Sequence, residues 1–196
     1  MMQDKLSKAE EKARSDRSAK LILLFAMVSM TMMFGGLTSA FVVSKSRADW
    51  LKNFELPSAF YFSTAVIIGC SITFHLAKKA IQKDQRSATT SFLLATLALG
   101  ILFVILQFVG FGQIVAQGYY FTGSASSITT TFLYVVTVVH LAHLAGGLIS
   151  LLIIIYNHFK QKYNATQTLG IELGAMYWHF LDLLWVYLFL FLYFFK

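Results

Sequence analysis

The sequence predicts an all-α integral membrane protein with five transmembrane helices, the N-terminus in the cytoplasm and the C-terminus outside. Three observations lead there. Hydrophobic residues make up 57% of the 196 residues and mean hydropathy is +0.66, beyond the range of an ordinary soluble domain. Five apolar runs reach spanning length, given that about 20 helical residues cross the roughly 30 Å hydrocarbon core. The basic residues behind the formal charge of +7 sit in the N-terminal tail and in short loops between apolar runs. That distribution is a mark of membrane topology and not of a phosphate-binding face, so nucleic acid is excluded as a partner.

Residues 1–20 are polar and charged, too long and too charged for the start of a signal peptide, and the apolar run that follows is too long for its hydrophobic region. They are expected to form an uncleaved cytoplasmic tail, a short amphipathic or frayed helix, ahead of one transmembrane domain over 21–196. The spans fall near 21–43, 57–77, 90–113, 128–156 and 175–195. In the first, Gly35 with Ser39 and Gly36 with Ala40 are pairs of small residues that favour close helix packing. The second opens at Pro57, the only proline, where a missing N–H costs nothing. The third carries Gln107 and Gln113 among Gly100, Gly110 and Gly112. The fourth is long enough to tilt or to project beyond the bilayer. From Ser87 to Phe159 the chain holds no Asp, Glu, Lys or Arg at all.

Orientation follows from Lys and Arg. The tail carries six, the 78–89 loop four and the 157–174 loop two; the other side holds three in 44–56, none in 114–127, and Lys196. Twelve against four places the N-terminus inside. Short loops favour antiparallel neighbours in one helical bundle. The single cysteine, Cys70, lies in an apolar run, so neither an internal disulfide nor a CxxC metal site exists.

The polar groups inside the spans carry the functional information, because an ionisable side chain in hydrocarbon costs several kcal/mol unless paired or neutralised. Glu172 and His179 are seven residues apart, and His179 and Asp182 three, which places all three on one face of the last helix. Glu172 also stands near that helix's start, where a carboxylate complements the dipole. Asp182 calls for a hydrogen-bonded neighbour on another helix. His140, His143 and Gly147 share a face of the fourth span, and Gly146 and Gly147 suit close helix approach. Two readings fit the histidines: a neutral pair bonded across a helix interface, or a metal or heme site, for which the chain has too few ligands. His140, His143, Glu172, His179 and Asp182 are therefore assigned to an interhelix polar network. Trp178 and Trp185, one heptad apart, could form a core stripe, an interfacial belt or, with Tyr177, a lipid or subunit contact. His75 and His158 sit near span edges.

The series Glu172, Tyr177, Trp178, His179, Phe180, Asp182 and Trp185 resembles the last helix of subunit III of heme-copper terminal oxidases, the cytochrome c oxidase subunit III family, in its short five-helix bacterial form. His140, His143 and Gly147 look like that family's penultimate helix. Ser29, Met32 and Phe34 resemble its Ser-Glu-x-Met-x-Phe helix. The resemblance runs from about residue 20 to the C-terminus. It implies an accessory subunit without a redox cofactor or catalytic centre of its own, in the bacterial cytoplasmic (inner) membrane. Heme and copper are then expected in partner subunits, with subunits I and II and membrane phospholipid as neighbours and a larger respiratory supercomplex as a further setting. Such a subunit supports subunit I and sustained proton-coupled oxygen reduction. The chain departs from the family in having five spans where mitochondrial members have seven. It also carries Met30 where the family has a membrane glutamate, and a methionine cannot titrate.

Within that family the sequence leaves open a cytochrome c oxidase, a quinol oxidase and a homologue associated with nitric oxide reductase. From another class, an independent membrane transporter is the alternative; unbroken spans without an internal repeat argue against it.

Overall fold

The computed structural model describes residues 2–51, 54–123, 126–164 and 167–195, with side chains from residue 10 onward. Lys196, counted above for orientation, and Lys52 of the 44–56 loop lie outside the described residues. Among the described residues the chain forms five long helices: α1 (Met2–Val43), α2 (Ser58–Gln82), α3 (Arg86–Ala116), α4 (Ile128–Phe159) and α5 (Leu169–Phe195). All five are long and apolar enough to cross a membrane.

Two boundaries differ from the sequence expectation. The charged tail is not a separate short helix, because α1 runs unbroken from Met2 through the first span. Residues 2–20 contain neither Gly nor Pro and are rich in Ala, Glu, Lys and Arg, all good helix formers, so nothing stops the helix where hydropathy changes. The last helix likewise begins at Leu169, ahead of its apolar run, with Glu172 as the acidic residue of its first turn.

The other ends have local causes. Pro57 is the N-cap residue of α2. Ser127 caps α4 through a reciprocal box: its Oγ accepts from the Thr130 N–H at 3.2 Å, and its own N–H donates to Thr130 Oγ1 at 3.4 Å. The C-termini of α2, α3 and α4 share one device. Asp84, Gly118 and Gln161 each adopt positive φ, of 55°, 87° and 56°. The residue after each then donates its N–H back to a carbonyl in the last turn, Gln85 to Ala80, Tyr119 to Ile114 and Lys162 to Asn157. In the loop after α1, Arg47 donates to Asp49 at 3.0 Å and holds that carboxyl below its usual range.

Helices α2, α3, α4 and α5 close a four-helix ring in which each packs on the next and α5 returns to α2. α1 lies outside the ring, against α4 and α5. Its inward residues include Met27, Phe34, Thr38 and Phe41, at helical spacing, and Phe34 packs with Val136, Leu184 and Leu188. The ring's core is aromatic. Trp178 and Trp185 are both fully buried, as are Phe60, Phe74 and Phe103. Trp185 meets Phe103 edge-on at 5.1 Å and Phe60 at 5.7 Å, and its Nε1–H donates to Thr64 Oγ1 at 3.1 Å.

Close approach comes from glycines on the inward faces. A methyl group at Gly100 would stand 3.2 Å from Trp178, and one at Gly147 would stand 3.0 Å from Leu181 and 3.3 Å from Trp178. Trp178 is therefore cradled between α3 and α4. A methyl at Gly110 would overlap the edge of the Phe60 ring. Gly35 and Gly36, expected to pack helices together, have nothing within 4 Å. The reason is rotational: once Phe34 and Thr38 face the bundle, residues 35, 36, 39 and 40 face outward. Gly146 reaches only the Tyr177 hydroxyl, at 3.7 Å.

Candidate functional site

The residues singled out by sequence lie at three levels along the bundle. At the end where α1 enters and α5 begins, Lys20 donates to Glu172 Oε2 at 2.9 Å, and Thr168 Oγ1 donates to Glu172 Oε1 at 2.7 Å. The ion pair ties α1 to α5, with side chains 45% and 26% exposed, so its own contribution to stability is about 0–1 kcal/mol. It also forms one wall of a polar cavity of about 330 Å³ that Lys12, Asp16, Lys162 and Tyr163 share. Directly beside it, and sharing Tyr163 and Gly170, an apolar groove of about 300 Å³ runs along Leu23, Ile153, Ile154, Leu173 and Tyr177. Arg86 Nη2 donates to the Tyr163 carbonyl at 3.1 Å, and Thr90 bonds His158 at 2.9 Å, which pins the α4–α5 connection over α3.

One level deeper on α5, His179 Nδ1 is bonded to Ser71 Oγ of α2 at 2.6 Å. Its ring lies 6.2 Å from that of His75, which is exposed on the outer face of α2. Asp182 is only 4% exposed. Its carboxyl lies beside the Ser71 hydroxyl, whose short bond goes to His179, and neither carboxyl oxygen has a well-formed partner. Trp178 Nε1 points to Cys70, whose thiol donates to the Thr96 carbonyl at 3.2 Å.

At the bundle centre His140 is fully buried among the rings of Trp185 at 5.2 Å, Phe103 at 6.0 Å and Phe34 at 6.4 Å. Neither of its nitrogens has a protein partner. His143 turns instead to its own helix, with Nδ1 at 2.8 Å from the Val139 carbonyl, while Tyr177 donates its hydroxyl to the His143 carbonyl at 3.0 Å.

The five residues expected to form one interhelix network are therefore not bonded to one another. Glu172 pairs with α1, His179 with α2, and His143 with its own backbone. The shared face of α5 is real, but one face of a helix in a ring meets different neighbours at different heights. A second correction concerns the tryptophans. Trp178 and Trp185 form the core stripe and are wholly enclosed by this chain, so neither is a lipid or subunit contact; Tyr177, half-buried, lines the apolar groove.

Sequence reasoning did not single out Lys12, Lys20, Lys162, Ser71 or Arg86 as site residues. Lys20 carries the one signal that could have been used: it is the last charged residue before the first span, on the same bilayer side as Glu172. Among the described residues no three of His, Cys, Asp and Glu converge where a metal ion could sit. The arrangement offers cation-rich polar binding at one edge and apolar packing elsewhere.

Comparison with known proteins agrees with the motifs. The profile of the family Cytochrome c oxidase subunit III matches residues 16–196. A Cytochrome c oxidase subunit 3 from Thermostichus vulcanus is 28% identical over 175 residues, 87% of this chain and 84% of that protein. The protein of the same name from Spodoptera frugiperda is 31% identical over 143 residues, covering 71% and 89% of the two chains. That from Drosophila yakuba is 31% identical over 140 residues, 71% of this chain but 50% of the relative, so the chain spans about half that protein's length. With five membrane-crossing helices, the His140/His143 and Glu172-to-Trp185 motifs on adjacent helices, and a family match over nearly its whole length, this chain belongs to the cytochrome c oxidase subunit III family.

Proposed function

We propose that this chain is the accessory, non-redox subunit III of a heme-copper terminal oxidase, of cytochrome c oxidase type, in a bacterial cytoplasmic membrane. It lies beside subunits I and II, which carry the heme and copper, and holds phospholipid that keeps the complex working through many turnovers. Its N-terminus and the Lys20–Glu172 edge face the cytoplasm, in keeping with the distribution of Lys and Arg. With Met30 where the family has a glutamate, no proton-uptake role falls to that position.

The observation that carries the lipid part of this reading is the join between the two cavities at that edge. Lys12, Lys20 and Lys162 border a polar pocket, and the pocket continues past Tyr163 and Gly170 into an apolar groove between α1, α4 and α5. A phosphate headgroup beside lysines with an acyl chain along the groove fits both chemistries at once. Glu172 pairs with Lys20, and Asp16 on the same pocket adds a second carboxylate that tempers the local charge.

Replacing Lys12, Lys20 and Lys162 together by Gln is expected to reduce the anionic phospholipid that stays with the detergent-purified complex by severalfold. Initial oxygen reduction should stay near the parent rate while activity decays sooner during sustained turnover. Lipid mass spectrometry and oxygen-electrode traces check both. Full lipid retention with an unchanged working life would remove the lipid role, and loss of all initial turnover in a fully assembled complex would sink the accessory assignment.

A further inference from the structure

The bundle centre holds a set of buried polar atoms that the oxidase reading does not use. Gln107 on α3, Thr137 and His140 on α4 are all 0% exposed. Gln107 Oε1, Thr137 Oγ1 and both ring nitrogens of His140 have no protein partner. Two ring contacts fix their relative heights. Phe103 of α3 stands 6.0 Å from His140, and Phe111 of α3 stands 5.1 Å from Tyr134. Gln107 is one turn from each phenylalanine on α3, and Thr137 lies midway between Tyr134 and His140 on α4. Antiparallel packing of the two helices therefore puts Gln107 level with Thr137, with His140 one turn away.

Two neighbouring polar pairs at this depth are already engaged. Gln107 Nε2 donates to Ser63 Oγ of α2 at 2.9 Å, and Ser63 Oγ donates to the Phe60 carbonyl at 3.0 Å. Trp185 of α5 donates to Thr64 of α2. These bonds join α3 to α2 and α2 to α5, and they leave the α3–α4 side of the ring open. The unmatched set there is chemically complementary to one small ligand: a carbonyl acceptor, a hydroxyl that donates or accepts, and an imidazole that does both.

We propose that Gln107 Oε1, Thr137 Oγ1 and His140 hold a buried water molecule that bridges α3 to α4. A water with two to four polar partners is the common resolution of such a set in a protein interior, whereas leaving the groups dry forfeits the hydrogen bonds of several atoms at once. The water donates to Gln107 Oε1, exchanges a bond with Thr137, and through His140 selects which ring nitrogen carries the proton. The site is a property of this chain and does not rest on the oxidase reading.

The test uses the full-length chain in whatever complex it purifies with. A map resolving ordered solvent is expected to show density about 2.6–3.2 Å from both Gln107 Oε1 and Thr137 Oγ1. The isosteric variant Thr137→Val is expected to lower Tm by about 2–4 °C, since it removes one partner and leaves the others underbonded. In a dry core the same substitution removes a stranded hydroxyl, and Tm stays level or rises. Absence of density, or a level or raised Tm, overturns the proposal.

Discussion

Trp185→Ala lowers the stability of the bundle by about 3–5 kcal/mol, the range for removing a large aromatic side chain from a close-packed core. The indole is fully buried and meets Phe60, Phe103 and His140, which come from three different helices. It also supplies the only hydrogen bond that Thr64 Oγ1 receives from another helix among those described. Trp185→Phe keeps most of the apolar contact and gives up that bond, so its cost is expected near 1 kcal/mol. Equilibrium unfolding of the purified protein in mixed micelles measures both. Equal, small effects would mean that α5 does not seat this residue in the centre of the ring.

Gly110→Leu is the second large effect, and its control is Gly36→Leu. Even the first carbon of a side chain at Gly110 overlaps the buried ring of Phe60, and Phe60 is itself held edge-on against Trp185. Relief requires α2 and α3 to move apart, at about 1–3 kcal/mol or more. Gly36 has nothing within 4 Å, so a leucine there gains membrane-facing or partner-facing surface without disturbing the bundle. The expected result is a folded yield severalfold lower for Gly110→Leu and a parent-like isolated fold for Gly36→Leu, read by size-exclusion of the detergent-solubilised protein. The reverse order would place the packed face of α1 where this structure places α3's.

The contrast between these glycines shows where sequence was enough. The five spans follow from length and hydropathy, and the start after Pro57 follows from local chemistry. The path of α1 did not, because a change from charged to apolar residues marks a membrane edge and not a helix end. Small residues in the first, third and fourth spans announced close packing, yet Gly100, Gly110 and Gly147 face a close neighbour whereas Gly35, Gly36 and Gly112 have nothing within 4 Å. Which side of a helix is inward depends on the other helices, and residue spacing alone is silent about that.

The site divides the same way. Glu172, His179 and Asp182 lie in one helix, α5, at the spacing read from the sequence, and the motif through Trp185 pointed to the family that the comparisons then showed. The partners were not legible: Lys20 reaches Glu172 from 152 positions away, and Ser71 reaches His179 from 108. Trp178 and Trp185 allowed a core stripe or a lipid belt. The choice was made by Gly100 and Gly147, which open the space that Trp178 fills.

The most direct test is to purify the tagged chain from its native membrane in mild detergent, identify its partners by mass spectrometry, and record a reduced-minus-oxidised spectrum. The expected result is a complex with a large heme- and copper-bearing subunit, heme bands that follow that subunit, and no heme on this chain once it is separated. A heme-free protein recovered alone from membranes whose oxidase remains intact and fully active would contradict it.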